Sequence, residues 1–347
     1  MTIAFMVSIL VPVYGVEKYI EKCAVSLFEQ TCNDIEYVFV DDCSPDNSIG
    51  ILEEVRKRYP ERDKVKIIRH DRNRGLAAAR KTALMASVGD YVIHVDSDDW
   101  VSPDMVATLA EQAMKTGADL VDGNYYHATD SRVAKEFRHF EGRTEINIKL
   151  LVSSSELVDN RIWGRLMRRS LIVDNAIFHQ EGVDYAEDFS VVPQVLYLAK
   201  RAAVDAYVYY YRVDNANSYT HSISDKNLVS LMKAHTMVYD FFRSTADFNS
   251  YKTDLAFGIE NVFKTAVLNK REPSSLIDYL PADYDCSPFS IYHKLIFSRD
   301  ASVRSMGMIY YKVVKTLRYR PLLLLNKVVA LGTRWWNRKG AGGTDKK

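Results

Sequence analysis

EYVFVDDCSPD (residues 36–46) and DYVIHVDSDDW (residues 90–100) follow one pattern: a short apolar run that suits a buried strand, then a burst of carboxylates. Working outward, Val7 to Val13 is a nearly continuous apolar run that breaks at Tyr14-Gly15, again a strand entering a loop. Helical spacing follows from Glu17 to Gln30, where Tyr19, Ile20, Cys23, Ala24, Leu27 and Phe28 fall on one face. After the strand Glu36–Val40, Asp46 or Asn47 can cap a helix running to Tyr59. Val65–Arg69 reads as a third strand, Gly75–Ala86 as a helix and Tyr91–Val95 as a fourth strand. Pro103 stands at a helix start, and Ala118–Val121 is a further strand. Strands alternating with helices of this length predict βαβ units: an α/β domain with a Rossmann-like, mostly parallel sheet flanked by helices. In such sheets ligands bind beyond the carboxyl ends of the strands, where both acidic bursts lie.

Past Glu141 the pattern turns irregular, with a loop at Trp163, a helix over Glu187–Ala199 and an aromatic strand over Ala206–Tyr211. After Asp225 the spacing predicts helices over Lys226–Phe242, Tyr251–Leu268 and Ser305–Arg318, with Pro273, Pro281 and Pro288 in the loop between the last two. The expected organisation is therefore a ligand-binding domain over 1–225, a helical C-terminal region over 226–339, and a disordered end over 340–347.

A net charge of +1 over 347 residues argues against a general nucleic-acid binder. The charge is nonetheless unevenly spread. From Lys312 onward there are ten Lys or Arg and one acid, Asp345, leaving 36 basic against 44 acidic residues in the remainder. The stretch Ile309–Arg338 mixes those cations with aliphatics and the pair Trp335-Trp336, the composition of a basic amphipathic segment that lies on an anionic membrane surface. Packing on the rest of the chain, or on a second copy in a homo-oligomer, is the plainer alternative. Four cysteines without paired spacing suggest neither a zinc site nor a disulfide framework, and a reducing cytoplasm is the expected compartment. The N-terminus lacks a signal-peptide pattern, and no apolar run is long enough to cross a bilayer.

Six carboxylates at one sheet edge would repel each other unless a cation or a donor-rich ligand stood among them. Mn2+ and Mg2+ take few carboxylates together with phosphate oxygens, so Asp96-Ser97-Asp98 at a strand end suits a metal–diphosphate clamp. Asp46 is better explained as a helix cap. Between the clusters, Asn73-Arg74-Gly75-Leu76 opens a helix that a phosphate could approach closely, with Arg80 one turn further on.

Taken together, SILVPVYG, EYVFVDDCSPDNS, NRGLAAAR, GDYVIHVDSDDW, WGRLMRRSLI, AEDF and YYYRVDNANS resemble, in order and spacing, the family-2 inverting glycosyltransferases of GT-A fold, over Val7 to Ser218. The resemblance implies a bacterial enzyme of surface polysaccharide synthesis that uses a nucleotide-sugar donor, UDP before GDP or dTDP. It implies Mn2+ or Mg2+ as cofactor and an oligosaccharide or lipid-linked glycan as acceptor. It also implies roles for individual residues. Pro12, Tyr14, Asp41 and Asp42 would hold the base, with Asn73 beside them and Arg80 near base or phosphate. Asp96 and Ser97 would meet the ribose, and Asp98 the metal. Asp188 would be the catalytic base, with Glu187 as neighbour and substitute, and Trp163 a platform for acceptor or donor sugar. An adjacent Glu187 should raise the pKa of Asp188 and so suit it to base catalysis. Two positions depart from the family pattern: Cys43 and Arg74 both stand where glycine is usual.

Other α/β nucleotide enzymes fit less well. A sugar nucleotidyltransferase would want a Gly-rich basic loop after the first strand, where this chain has Tyr14-Gly15-Val16-Glu17-Lys18. The glycine fingerprints of dehydrogenases and P-loop enzymes are absent there. A non-catalytic glycan-binding relative would have tolerated loss of Asp98 or Asp188, and both are present.

Overall fold

The computed structural model describes residues 4–137, 144–153, 159–215 and 223–318. They fall into two compact units. The first comprises the described residues within 1–139 and 161–222, and the second those within 140–160 and 223–347.

The first unit is built on nine strands: β1 (Val7–Val13), β2 (Ile35–Asp41), β3 (Val65–Arg69), β4 (Tyr91–His94), β5 (Trp100–Val101), β6 (Leu120–Ala128), β7 (Val133–Phe137), β8 (Arg165–Arg168) and β9 (Arg201–Arg212). Their order in one sheet is β3-β2-β1-β4-β8-β6-β9-β5, with β7 also paired to β6. β1 runs parallel to β2 and β4, and β2 parallel to β3. Every residue of β1 and β2 is buried, which explains their unbroken apolar runs. Beyond β4 the sheet is mixed. β8 is antiparallel to β4 and β6, β9 parallel to β6, and β5 antiparallel to β9.

β6 extends seven residues past the expected Val121, because Asp122, Gly123 and Asn124 interrupt its apolar pattern without ending the strand. Asp122 is fully buried and paired with Arg165 Nε at 2.6 Å, and Asn124 donates to Asp205. A buried charge is tolerated there because its partner comes with it. The helices of this unit are α1 (Ile20–Phe28), α2 (Ser48–Lys57), α3 (Leu76–Ala86) and α4 (Met105–Thr116). They are joined, past a helix of the second unit, α5 (Thr144–Val152), by α6 (Arg169–Asp174) and α7 (Glu187–Leu198).

α1 is shorter than its periodicity suggests, and the cause is specific. The N–H groups of Gly15, Val16 and Glu17 donate to Ser44 Oγ, Ser48 Oγ and Asp46 Oδ2 at 2.9–3.0 Å, which ties the β1–α1 loop to the β2–α2 loop. Asp46 also accepts from Ser48 N at 3.1 Å, at the first residue of α2.

The second unit contains α5, α8 (Asp225–Arg243), α9 (Phe248–Leu268), α10 (Ser290–Ile296) and α11 (residues 301–318). The proline-rich stretch before α10 forms 3-10 turns at Pro273–Tyr279 and Ser287–Phe289. Glu260 of α9 is fully buried and is kept hydrogen-bonded by Tyr284 Oη and by His293 Nε2 at 2.6 Å. Most of the basic segment from Lys312 onward, including Trp335 and Trp336, and the terminal 340–347 lie outside the described residues.

Candidate active site

The reversal of strand order at β1, with β2 on one side and β4 on the other, opens a crevice at the carboxyl edge of the sheet. Pro12 and Val13 of β1 with Tyr14 just after it, Asp42 just after β2, and Asp96, Ser97 and Asp98 in the loop after β4 line a cavity of about 230 Å³. Asn73, Gly75, Tyr211 and Asn215, with Val16, Leu76 and Ala79, complete it. Seven of the residues singled out from sequence thus meet at one place: Pro12, Tyr14, Asp42, Asn73, Asp96, Ser97 and Asp98. Asp41, Arg80, Trp163, Glu187 and Asp188 are not on this lining.

Asp41 and Asp42 shape loops. Asp41 Oδ1 accepts the N–H of Ser44 at 2.8 Å, fixing the turn in which Cys43 adopts φ +59°. The family's usual glycine suits that left-handed backbone better than cysteine does. Asp42 accepts the N–H groups of Arg74 and Gly75 at 2.9 and 2.8 Å, and His70 Nδ1 lies 2.6 Å away. It therefore holds the 70–75 turn against the cleft while facing into it. Gly75 has φ +93°, and a Cβ there would lie 2.3 Å from Asp184 Oδ1. That carboxylate accepts the N–H of Ala77 at 3.1 Å. The close approach expected to serve a phosphate is thus taken up by Asp184, which caps α3 from a distant loop.

Arg80 is also repositioned relative to its expected role. It is 1% exposed and lies beneath the cleft, not on its surface. Its Nη2 is 2.9 Å from Asp96 Oδ1, 3.5 Å from Glu187 Oε1 and 3.8 Å from Asp188 Oδ1. One buried cation therefore organises three carboxylates, one of which, Asp96, also faces the cavity.

Glu187 and Asp188 open α7, where the helix dipole favours acids. Burial nevertheless pushes both carboxyls above the usual range, with Arg80 opposing the rise in each. The charge of Asp188 adds to the rise at Glu187, whereas the like charge that raises Asp188 is Asp96. Asp188 thus rises through burial and the charge of Asp96, and its repulsion with the neighbouring Glu187 is mutual. Asp188 Oδ2 accepts the N–H of Ile162 at 3.1 Å, which fixes the carboxylate, while Oδ1 has no hydrogen-bond donor among the described residues. That oxygen keeps a lone pair available for a proton.

The strand-four burst divides by residue. Asp99 is fully buried, accepting Tyr209 Oη at 2.8 Å and the N–H of Arg212 at 2.7 Å, and Tyr209 Oη in turn accepts the N–H of Asp96 at 3.0 Å. Asp99 is structural: it locks the loop to β9. Asp98 faces the cavity, and Asn215 Nδ2 donates to its Oδ2 at 2.8 Å. Burial, then the charge of Asp96, raise its pKa. Among the described residues no group of three His, Cys, Asp or Glu side chains could hold a metal alone. A divalent ion arriving with a diphosphate needs only one or two carboxylates, and Asp98, facing the cavity with Asp96 beside it, is placed to meet that ion.

Trp163 is 8% exposed, stacked on Tyr209 at 4.4 Å and Tyr211 at 5.3 Å, and edge-on to Tyr125 at 5.0 Å. Its ring is a packing element behind Tyr211, which reaches the cavity in its place. Tyr209, Tyr211, Arg212 and Asn215 had no role assigned from sequence. Their signal was the aromatic run 207–211, legible as a strand but not as the partner of the 96–99 loop.

Comparison with known proteins agrees with this geometry. Residues 8–174 match the sequence model described as Glycosyl transferase family 2. Glycosyltransferase EpsJ of Bacillus subtilis (strain 168) is 34% identical over 221 residues, 62% of this chain and 63% of EpsJ. The poly(ribitol-phosphate) beta-glucosyltransferase of Bacillus spizizenii is 30% identical over 210 residues, 60% of this chain and 32% of that protein. The chain thus spans under two thirds of the length of these curated relatives. Among solved structures, S. aureus TarS 1–349 in complex with UDP-GlcNAc superposes with a TM-score of 0.66 at 19% identity, over 88% of this chain and 91% of TarS 1–349. At that identity the likeness establishes the fold.

Proposed function

We propose, for a chain whose residues 8–174 match glycosyl transferase family 2 and whose fold is GT-A, transfer of a sugar from a nucleoside-diphosphate sugar to a glycan hydroxyl in polysaccharide synthesis. The observation that carries the reading is the adjacency of two acidic centres with different surroundings. Asp96 and Asp98 face an open cleft at the sheet switch point, and Glu187 and Asp188 lie buried beside it around Arg80.

In this reading Pro12, Tyr14, Asp42 and Asn73 surround the nucleotide, and Asp96 and Ser97 face its ribose. Asp41 and Arg80 support the site from behind. Mn2+ or Mg2+, held by Asp98 and the diphosphate oxygens, would neutralise charge on the leaving group. Asn215 orients the Asp98 carboxylate. Asp188 takes the acceptor hydroxyl proton. The acceptor oxygen then bonds to the anomeric carbon from the face opposite the diphosphate, the bond from that carbon to the phosphate oxygen breaks, and the sugar is inverted. With its pKa raised further by the neighbouring charge, Glu187 holds a proton while Asp188 ionises, so the two acids have separate states near neutral pH. That TarS 1–349 takes UDP-GlcNAc supports UDP as the first nucleotide to test. A lipid-linked glycan is the acceptor class this reading favours.

The test is a donor panel: UDP-, GDP- and dTDP-sugars are incubated with the full chain, Mn2+ and lipid-linked saccharides, and nucleoside diphosphate release is measured. Acceptor-dependent release of UDP, abolished by EDTA, is expected. Binding of saccharide without release from any donor would instead identify a non-catalytic module.

A further inference from the structure

We propose that α11 carries a docking face for an anionic membrane surface. Met306, Ile309, Val313 and Leu317 project from it at helical spacing, and they are 51% to 70% exposed. The opposite side of the same helix is fixed. Tyr311 is 2% exposed and donates to the carbonyl of Phe257 at 3.0 Å, and Gly307 sits where a Cβ would meet Leu295 and Ile296 at 2.9 Å. Arg318 pairs with Asp254 at 3.3 Å. Because that packing sets the rotation of α11, the apolar stripe is held outward as part of the folded unit.

Charge identifies the occupant. Residues 301–318 contain four cations and no acid: Lys312 is exposed beside Val313, whereas Arg304 bonds to the Ser298 carbonyl, Lys315 to the Ser153 carbonyl and Arg318 to Asp254, and residues 319–347 add seven basic residues against Asp345. A net-cationic helix with a narrow exposed apolar stripe lies in the plane of an anionic leaflet, its apolar side chains entering the acyl boundary. Four side chains fall well short of the roughly 20–30 residues a side of a stable protein interface. No helix of the described residues is long and apolar enough to cross a membrane, so contact at the surface is the mode left to this helix. The proposal rests on helix geometry and charge and does not depend on the transfer reaction.

The test uses the full chain and sedimentation with vesicles of phosphatidylcholine, alone or mixed with phosphatidylglycerol. Wild type should sediment with the mixed vesicles only. Ile309→Ser, Val313→Ser and Leu317→Ser combined should weaken binding at least about tenfold without changing thermal unfolding, since these side chains are exposed. Three results would overturn the proposal. Wild type could ignore both vesicles. The triple variant could bind unchanged, which would move the contact to the segment after Arg318. Or wild type could ignore vesicles and self-associate in a way the variant abolishes, which would make the stripe a contact between copies.

Discussion

Asp188→Asn is expected to lower sugar transfer about a thousandfold while leaving nucleotide binding unchanged, the usual scale for loss of a positioned general base. The substitution keeps the hydrogen bond to the Ile162 amide in reach, through the Asn carbonyl, and removes the oxygen that would accept the acceptor's proton. The wild-type pH profile gives a second readout. Base catalysis needs the ionised form, and burial raises the pKa of Asp188. The rate should therefore fall as pH drops through a value above the ordinary carboxylate range, and this acid limb should vanish in Asp188→Asn. Glu187→Gln preserves shape and stands in for a group already holding its proton, so its transfer rate should stay within about tenfold of wild type. An inactive Glu187→Gln beside an active Asp188→Asn would assign the base to Glu187.

Arg80→Met is expected to destabilise the first unit by about 3–5 kcal/mol, the cost of stripping a buried ion cluster of its cation. Nη2 of this 1%-exposed residue lies within 3.8 Å of three carboxylates, and Met restores the volume without the charge. The sign of the pH dependence follows from linkage. Glu187 and Asp188 already have folded pKa values above their unfolded ones, and Arg80 holds both down. Losing it moves the folded values higher, so the folded state retains protons that the unfolded chain has released. Stability then falls as pH rises from the unfolded carboxylate pKa values through the raised folded ones. Urea unfolding at about pH 5 and about pH 8 should show the larger deficit at the higher pH. A deficit equal at both, or below about 1 kcal/mol, would mean the three acids are held by other contacts.

β1 was legible because burial on both faces writes itself as a nearly continuous apolar run, and the strand begins and ends where the run does; β3, VKIIR, kept its expected bounds although none of its residues is fully buried. Strands β5, β7 and β8 left no such trace. Trp100–Val101 is two residues long, Val133–Phe137 is mostly exposed, and Arg165–Arg168 is bounded by arginines. β5 and β8 exist because antiparallel neighbours far along the chain supply their hydrogen bonds, whereas β7 folds back on β6 through a short turn. The cleft shows the same division. Asp42, Asp96 and Asp98 stood out because strand ends carry few reasons for so many acids. That Arg80 would be sealed beneath them against Glu187 and Asp188, that Asp184 would occupy the start of α3, and that Tyr209 would bind Asp99 depended on contacts over roughly a hundred residues. Local spacing carries no information at that range.

The most direct measurement is calorimetric titration of UDP into the full chain with Mn2+ and with EDTA, in parallel with Asp98→Ala. Metal-dependent binding by the wild type, lost in Asp98→Ala while its unfolding midpoint is unchanged, is the expected result. No binding of UDP, GDP or dTDP by the wild type in the presence of metal would contradict the assignment of the β1–β4 crevice as a nucleotide-sugar site.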